Sequence, residues 1–237
     1  MARQAHLLEL DPDLAENLDD ERAEMARRHL VVRVEQIPPG AWRPVEDLFG
    51  ATGGFGLIIV EGLALRRVSL GHRSAAELLW PGDVLQPWED DGEHAAYPFV
   101  SAFRVLEPIT VGVLDAALTS RLMHFPEIVT RLMGRVMARS RRVVGHLVIA
   151  QLPSVDTRLQ VILWHLADRF GRVRPEGVTL PVRLTHETLG LVIGARRPSV
   201  TAAIGRLGDQ GLIETLPDGG WLLKGEAPET IAFASRR

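Results

Sequence analysis

The C-terminal third of the chain contains two short apolar patterns with helical spacing. The first pattern follows Thr185, a favoured helix N-cap, and its apolar positions are Leu189, Val192 and Ile193. The second pattern follows Pro198, which is favoured in the first turn of a helix, and its apolar positions are Val200, Ile204 and Leu207. Gly194 separates the two patterns and Gly211 follows the second, as glycines do at helix ends. We therefore predict two short helices joined by a tight turn.

A strand pair follows the second predicted helix. Leu212–Leu216 has strand composition, residues 217–220 have turn composition, and Trp221–Leu223 forms the returning strand. Two helices and a following hairpin make a winged helix-turn-helix, whose second helix enters the major groove of DNA. The alternative is an ordinary helical hairpin in an α-rich core, and the strand pair argues against it.

The second predicted helix begins with basic and hydroxyl-bearing residues. Arginine binds guanine or phosphate with two hydrogen bonds, and a helix N-terminus attracts anions. Ala202 and Gly205 are small enough for the helix backbone to approach the floor of a groove. Arg196 and Arg197 have a simpler interpretation as a solvated turn. The residues that we expect to contact DNA are Thr185, Arg196, Arg197, Ser199, Thr201 and Arg206.

The N-terminal half has short β-like runs after a predicted helix from about Asp13 to Arg28. Turn signals such as Glu61-Gly62 and Pro81-Gly82-Asp83 separate these runs, so we predict an antiparallel β-sandwich or roll. The predicted strands are Leu30–Ile37, Leu57–Val60, Leu63–Leu70, Ala75–Trp80, Val100–Val105 and Thr110–Leu114.

A long helix is predicted from Phe125 to about Leu152, before Pro153. Its apolar face is too broad for one neighbour, so we expect the β-domain to cover part of it and a twofold partner helix to cover the rest. The predicted seam is Val129, Leu132, Val136, Ser140, Val143 and Leu147, widened by Met133, Met137, Val144 and Val148. The predicted fold class is α+β, with a β-roll domain at 1–124, a dimerisation helix and hinge at 125–153, and a winged helix-turn-helix at 154–237.

Composition narrows the possible functions. The chain of 237 residues has no cysteine, which excludes disulfides and thiolate-bound iron–sulfur clusters. No apolar run approaches the roughly 20 residues that cross a bilayer, so we expect a soluble, cytoplasmic protein. The formal charge is −9 over residues 1–124, +4 over 125–153 and +2 over 154–237. Only the second half of the chain is therefore expected to approach a polyanion such as double-stranded DNA.

The order of these parts resembles the cyclic-AMP receptor protein/FNR superfamily of bacterial transcription regulators. Gly56–Leu85 resembles that family's roll, with Gly62 and Pro81-Gly82-Asp83 at its turns, and Leu184–Ile213 resembles its DNA-binding motif. The resemblance covers almost the whole chain. It implies a homodimer that binds an inverted repeat of DNA and has RNA polymerase as a further partner.

Departures from the family pattern argue against cyclic AMP as the effector. Family members that bind cyclic nucleotides have Gly-Glu after the Gly-Asp turn, where this chain has Gln86-Pro87. They also have an arginine before a Ser/Thr-Ala pair, where this chain has Val100 before Ser101-Ala102. In the DNA-binding motif Arg197 matches a base-reading arginine, whereas Pro198 and Ala202 replace the other specificity residues. We therefore expect no cyclic-AMP cofactor and an operator that differs from that of the best-known member.

Two other functional classes remain as alternatives. A haem- or metal-dependent gas sensor on the same scaffold would need histidine ligands, and the candidates are His72, His94, His124 and His146. These histidines do not have ligand spacing, so we expect no metal site. We also expect no enzyme activity, because the chain has no nucleophile elbow, phosphate loop or zinc-type motif. An apolar effector pocket of unknown ligand, or ordinary core, is predicted around Trp80, Trp88, Tyr97 and Phe103.

Overall fold

A computed structural model describes residues 3–44, 48, 54–86 and 98–228. The chain forms two compact units, Met1–Arg142 and Val143–Arg237. The strands are β1 Arg3–His6, β2 Val31–Ile37, β3 Gly40–Trp42, β4 Gly56–Leu70, β5 Arg73–Leu79, β6 Val84–Leu85, β7 Val100–Leu114, β8 Arg172–Arg174, β9 Gly177–Leu180, β10 Ile213–Thr215 and β11 Trp221–Leu223. The α-helices are α1 Leu7–Leu10, α2 Asp20–His29, α3 Ala116–Leu122, α4 Pro126–Gln151, α5 Val155–Phe170, α6 His186–Ile193 and α7 Arg197–Asp209, and Pro12–Ala15 is a 3₁₀ turn.

The first unit is built on one antiparallel sheet. Its strands lie in the order β1-β2-β7-β4-β5, with β3 paired to β7 and β6 paired to β4. The long strands β4 and β7 pair along most of their length, and shifts in register between Ile59 and Ala64 curve them. The antiparallel β-roll predicted from the sequence is confirmed.

The sequence prediction divided these long strands wrongly. Glu61-Gly62 is not a turn between two strands but lies within the irregular register of β4. Val100–Val105 and Thr110–Leu114 are likewise parts of the single strand β7. A bulge breaks the alternation of side chains without ending the strand, so the local pattern looks like a turn. The predicted helix at 13–28 begins instead at Asp20, because the Asp19 side chain accepts a hydrogen bond from the Arg22 amide and caps it there.

The described residues of the first unit include two apolar cores. One packs the N-terminal helices, α3 and the start of α4 against β2, and its fully buried residues include Leu14, Leu118 and Leu132. The other fills the interior of the roll and includes Ile59, Val111 and Trp42.

Three arginines of α4 bind largely buried carboxylates of the same unit. The Arg139 guanidinium donates to the Glu77 carboxylate at 2.5 and 3.1 Å. The remaining pairs are Arg135 with Asp11, where one contact is 2.7 Å, and Arg142 with Asp83 at 2.6 Å. The side chains of these carboxylates are exposed by only 10% for Glu77, 12% for Asp11 and 5% for Asp83. One side of α4 is therefore held to the first unit by ion pairs.

Asp83 is the most buried of the three carboxylates. It also accepts a hydrogen bond from the Trp80 amide at 3.1 Å, and the Arg142 guanidinium lies 3.8 Å from the Trp80 ring centre. Burial raises the pKa of Asp83, and the hydrogen bond from Arg142 opposes that rise. Arg142 therefore counteracts the effect of burial on this carboxyl group.

The second unit joins α5, α6 and α7 to a four-stranded antiparallel sheet. The strand order is β10-β11-β9-β8, and β10 and β11 form the hairpin predicted after the second helix. The predicted α+β class, with a roll, a long helix and a C-terminal helix-turn-helix, is confirmed. Over the residues that the structure describes, no helix combines the length and apolar character needed to span a bilayer.

Replacing Arg142 with Met tests the ion pair with Asp83. We expect Arg142→Met to lower the free energy of unfolding by about 3–5 kcal/mol, because the buried Asp83 carboxylate loses its cation. Urea unfolding of the full chain measures this change. The double variant Asp83→Asn/Arg142→Met is the control and should recover most of the loss.

The sign of the pH dependence follows from the raised pKa of Asp83. A carboxyl group whose folded-state pKa is above its ordinary value loses stability as the pH rises past that ordinary value. The deficit of Arg142→Met should therefore shrink as the pH falls from about 7 toward about 4, the ordinary pKa of an aspartate. A deficit that stays constant over this window, or a double variant no better than the single one, would contradict the assignment.

Candidate nucleic-acid interface

Local sequence rules explain how α6 and the turn after it form. The Thr185 hydroxyl accepts from the Thr188 amide at 3.1 Å and caps α6, as predicted. Gly194 ends the helix in a left-handed conformation with φ of 66°. A Cβ at Gly190 would lie 2.6 Å from the Ala195 carbonyl oxygen, so only glycine allows the turn to approach α6 this closely.

The N-terminus of α7 lacks a capping side chain. Its N-cap is Arg196, with Arg197 and Pro198 as the first two helical residues. Side chains cap α2, α5 and α6, whereas no side chain accepts from the first amides of α7. These amides and the partial positive charge of the helix are therefore available to an anion.

The predicted contact residues on the first half of α7 lie together and are exposed. They are Arg196, Arg197, Ser199 and Thr201. Within the described part of the chain, Arg196 and Arg197 form no ion pair with an acidic residue. The opposite face is buried through Val200, Ala203 and Leu207. The sequence predicted Ile204 as a buried residue of this face, but the buried residue is its neighbour Ala203 and Ile204 is only partly buried. The spacing in the sequence did not resolve which of the two adjacent residues points inward.

A hydrogen bond joins the starts of the two helices. His186 Nδ1 lies 2.8 Å from Thr201 Oγ1, and Thr201 Oγ1 donates to the Arg197 carbonyl at 3.1 Å. The Thr185 and Thr201 hydroxyls therefore already have partners within the protein. The sequence did not predict the contact of His186 with Thr201, which depends on how α6 packs against α7.

Arg206 lies apart from the other predicted contact residues. Its guanidinium makes two hydrogen bonds, at 2.8 and 2.5 Å, to the carboxylate of Asp156 at the start of α5. This hydrogen-bonded pairing lowers the pKa of Asp156 and raises that of Arg206. Arg206 thus joins α7 to α5, an arrangement that the spacing of residues could not reveal.

The wing, which is the β10–β11 hairpin, is held by its own hydrogen bonds. Leu216 and Gly220 close the turn at 2.9 Å, and the Asp218 side chain accepts from the Gly220 amide at 2.9 Å. Strand β11 also pairs with β9, with Trp221 opposite Leu180. The wing therefore forms one side of the four-stranded sheet, with β10 as the edge strand.

The exposed residues of α4 overlap with the predicted seam only in part. Leu132 is fully buried in the first unit, and Val129 and Val136 pack against the same core. These three residues are occupied within the protomer. The exposed large apolar residues of the helix are Met133, Met137, Val143, Val144, Leu147 and Val148. Together with the exposed Ser140, most of them follow the four-three spacing of a coiled-coil seam.

The residues proposed for an effector pocket do not form one described group. Trp80 lies beneath Arg142, whereas Phe103 packs edge-on against Trp42 at 5.6 Å in the roll interior. Trp88 and Tyr97 lie outside the described residues.

Two positions within the segments compared with the cyclic-nucleotide pattern, Gln86 and Ser101, have hydrogen-bond partners within the protein. The Gln86 amide donates to the Gly54 carbonyl at 3.3 Å, and Ser101 receives a hydrogen bond from Arg66 at 3.2 Å. Arg66 also lies 3.5 Å from Glu77, so its charge is shared with a carboxylate that Arg139 holds. The approach of an arginine from β4 to Ser101 could not be read from the sequence, because it depends on strand pairing.

The histidines considered for gas sensing are dispersed. His146 is buried and meets His165 edge-on, with 5.6 Å between ring centres. His94 lies outside the described residues. Among the residues that are described, no three histidine, aspartate or glutamate side chains converge as metal ligands.

Comparison with known proteins supports the helix-turn-helix assignment. Residues 157–224 match the model of the Crp-like helix-turn-helix domain. A comparison with curated proteins found no match.

Solved structures with this fold cover nearly the whole chain. A CooA variant from Carboxydothermus hydrogenoformans is 16% identical with a TM-score of 0.62, and the match covers 98% of this chain and 96% of that one. TTHB099, a CRP-family transcriptional regulator from Thermus thermophilus, is 21% identical with a TM-score of 0.59 over 81% and 92%. The c-di-GMP-responsive regulator CLP from Xanthomonas campestris is 14% identical with a TM-score of 0.60 over 88% and 100%.

The resemblance read from the sequence is thus confirmed. The chain carries a Crp-like helix-turn-helix domain, and it has the fold of Crp/FNR-family transcription regulators.

Proposed function

We propose that the protein is a transcription regulator that binds an inverted repeat of double-stranded DNA as a homodimer. The observation that carries this proposal is the N-terminus of α7. It combines uncapped amides, the exposed hydroxyl of Ser199, and the charges of Arg196 and Arg197, which have no ion-pair partner among the described residues. Phosphate oxygens and guanine edges are the partners that this set of donors suits.

The buried contacts of the second unit support α7 as the helix that enters the groove. Its apolar face packs against the unit, and the Asp156–Arg206 pair holds the helix to α5. The wing lies directly after it in sequence. Arg206 then acts by positioning the helix, and base or phosphate contact falls to the residues at its N-terminus.

The homodimer is proposed from the exposed face of α4. Met133, Met137, Val144, Leu147 and Val148 are each exposed by 47–60% in the single chain. A second copy of α4 would cover these residues and place two recognition helices about a twofold axis.

The effector of the roll is not assigned, and we propose that it is not cyclic AMP. Val100 occupies the position of the arginine that would bind the cyclic phosphate, and Pro87 occupies that of the glutamate whose carboxylate the cyclic-nucleotide pattern requires. RNA polymerase is proposed as a partner, and the cytoplasm as the site of action, on family resemblance alone. No catalytic role is proposed.

Sequencing of DNA captured by the purified protein tests the function. We expect an enriched inverted repeat with half-sites about 34 Å apart, one helical turn, which persists when the salt concentration is raised. Capture that is blind to sequence and lost at the higher salt concentration would contradict sequence-specific binding by the free protein.

Arg197→Ala tests the N-terminus of α7. We expect a loss of about 1–3 kcal/mol in binding to the captured operator, because Arg197 can contact a base edge or a phosphate. Fluorescence anisotropy measures the affinity. Arg206→Ala is the matched control and should leave the salt dependence of binding unchanged, since Asp156 already holds that side chain. Equal affinity of wild type and Arg197→Ala would remove Arg197 from the interface.

Val144→Glu tests the dimer seam. We expect the dimer dissociation constant to rise about tenfold or more, because two like charges would face each other in an apolar contact. Analytical ultracentrifugation measures the dissociation constant. Ala138→Glu adds the same charge at an exposed position well off the seam and should leave the dimer intact. Equal effects of the two substitutions would argue against this seam.

A further inference from the structure

Arg158 joins two helix ends in the second unit. It lies in the first turn of α5, and its Nε donates to the Leu152 carbonyl at 2.6 Å. Its Nη1 donates to the Gly194 carbonyl at 3.4 Å. Leu152 directly follows α4, and Gly194 ends α6. The last carbonyl groups of a helix have no partner within the helix and carry partial negative charge, so one guanidinium stabilises both ends.

The same two helix ends also lie close together. A Cβ placed on Gly194 would be 3.3 Å from the Ala150 Cβ, so the turn before α7 runs against the last turn of α4. Gly194 precedes Arg196, the N-cap of α7, by two residues. The end of α4 is therefore held near the helix start that we propose as the DNA contact.

The last turns of α4 belong to the same compact unit as α7. That unit begins at Val143, so Val144, Leu147 and Val148 of the proposed dimer seam lie within it. In a dimer built on this seam, the distance between the two copies of α7 depends on how each α7 is fixed to its own α4. Contacts inside one unit therefore determine that distance.

We propose that Arg158 is a positioning residue that sets the distance between the two copies of α7, and thereby the spacing of operator half-sites that the dimer accepts. Its planar guanidinium reaches the end of α4 and the turn before α7 at once, whereas the Asp156–Arg206 pair joins α7 to α5. Without Arg158 the unit keeps its apolar core but pivots on the end of α4. This inference rests on the proposed function, because it assumes a dimer that binds an inverted repeat through α7.

The experiment measures binding of the full-length protein to the captured operator and to two altered operators, with one base pair added or removed between the half-sites. One base pair changes their separation by about 3.4 Å and their relative rotation by about 35°. We expect the wild type to bind either altered operator about tenfold more weakly, because a fixed dimer has to distort the DNA to reach both half-sites. Arg158→Met should bind the original operator more weakly, but all three operators within about threefold of each other, because a pivoting unit follows the shifted half-site.

The ratio of affinities among the three operators separates positioning from a merely structural role. A variant that is only less stable would lose the same factor on each operator and keep the ratio. Fluorescence anisotropy measures the affinities, at protein concentrations at which ultracentrifugation shows a dimer.

Two further variants isolate the geometry of the guanidinium from its charge. Arg158→Lys keeps the charge but lacks the planar fork that reaches both carbonyls, so it should lose the spacing preference and keep the salt dependence of the wild type. Arg172→Met removes an exposed arginine of the same unit and should keep the wild-type ratio.

The possible outcomes separate this inference from the function on which it rests. Specific binding by Arg158→Met with the wild-type spacing preference would overturn the inference alone, as would a wild type that is indifferent to spacing. A salt slope reduced by about 0.9 for each lost contact, with the spacing preference unchanged, would assign Arg158 to a phosphate contact and also overturn the inference. Failure of the wild type to bind any inverted repeat would overturn the proposed function and the inference with it.

Discussion

The ion pairs between α4 and the first unit determine which face of the long helix remains exposed. A buried carboxylate that loses its guanidinium partner is strongly destabilising, so sliding or rotating the helix by one residue would break the three pairs with largely buried carboxylates at once. The apolar residues on the same side of the helix pack into the core of that unit. The remaining apolar face has no partner among the described residues of the chain, and this face is the one proposed for a second copy. The pairs are Asp11–Arg135, Glu77–Arg139 and Asp83–Arg142.

In the second unit, the helix N-termini differ in whether a side chain caps them. The N-termini of α5 and α6 are closed by Ser154 and Thr185, whose hydroxyls satisfy amides of the first turn. The N-terminus of α7 has exposed arginines and no cap. A helix start without a cap forgoes stabilisation of about 1 kcal/mol, which an anionic ligand can restore. The missing cap is therefore a feature of the local structure of α7 and also a reason for its proposed contact with DNA.

Much of the fold could be predicted because local rules determine it. The N-cap at Thr185, the left-handed Gly194 and the hairpin after α7 all agree with the structure. Other features depended on partners that are distant in sequence. Leu132 and Met133 are adjacent and both apolar, and only the packing of α4 shows that the first is core and the second exposed. Arg206 had the residue type of a DNA contact, but its partner Asp156 is 50 residues away.

The sequence by itself determined the order of the parts, the ends of the helix-turn-helix and the unequal distribution of charge, because these follow from residue type and short spacing. The tertiary structure decided which face of α4 is exposed and which arginines of α7 have no ion-pair partner among the described residues. Each of these depends on a hydrogen bond, an ion pair or a packing contact between segments that no local pattern connects. The register of β4 against β7 is of the same kind, since a bulge reads as a turn until its partner strand is known.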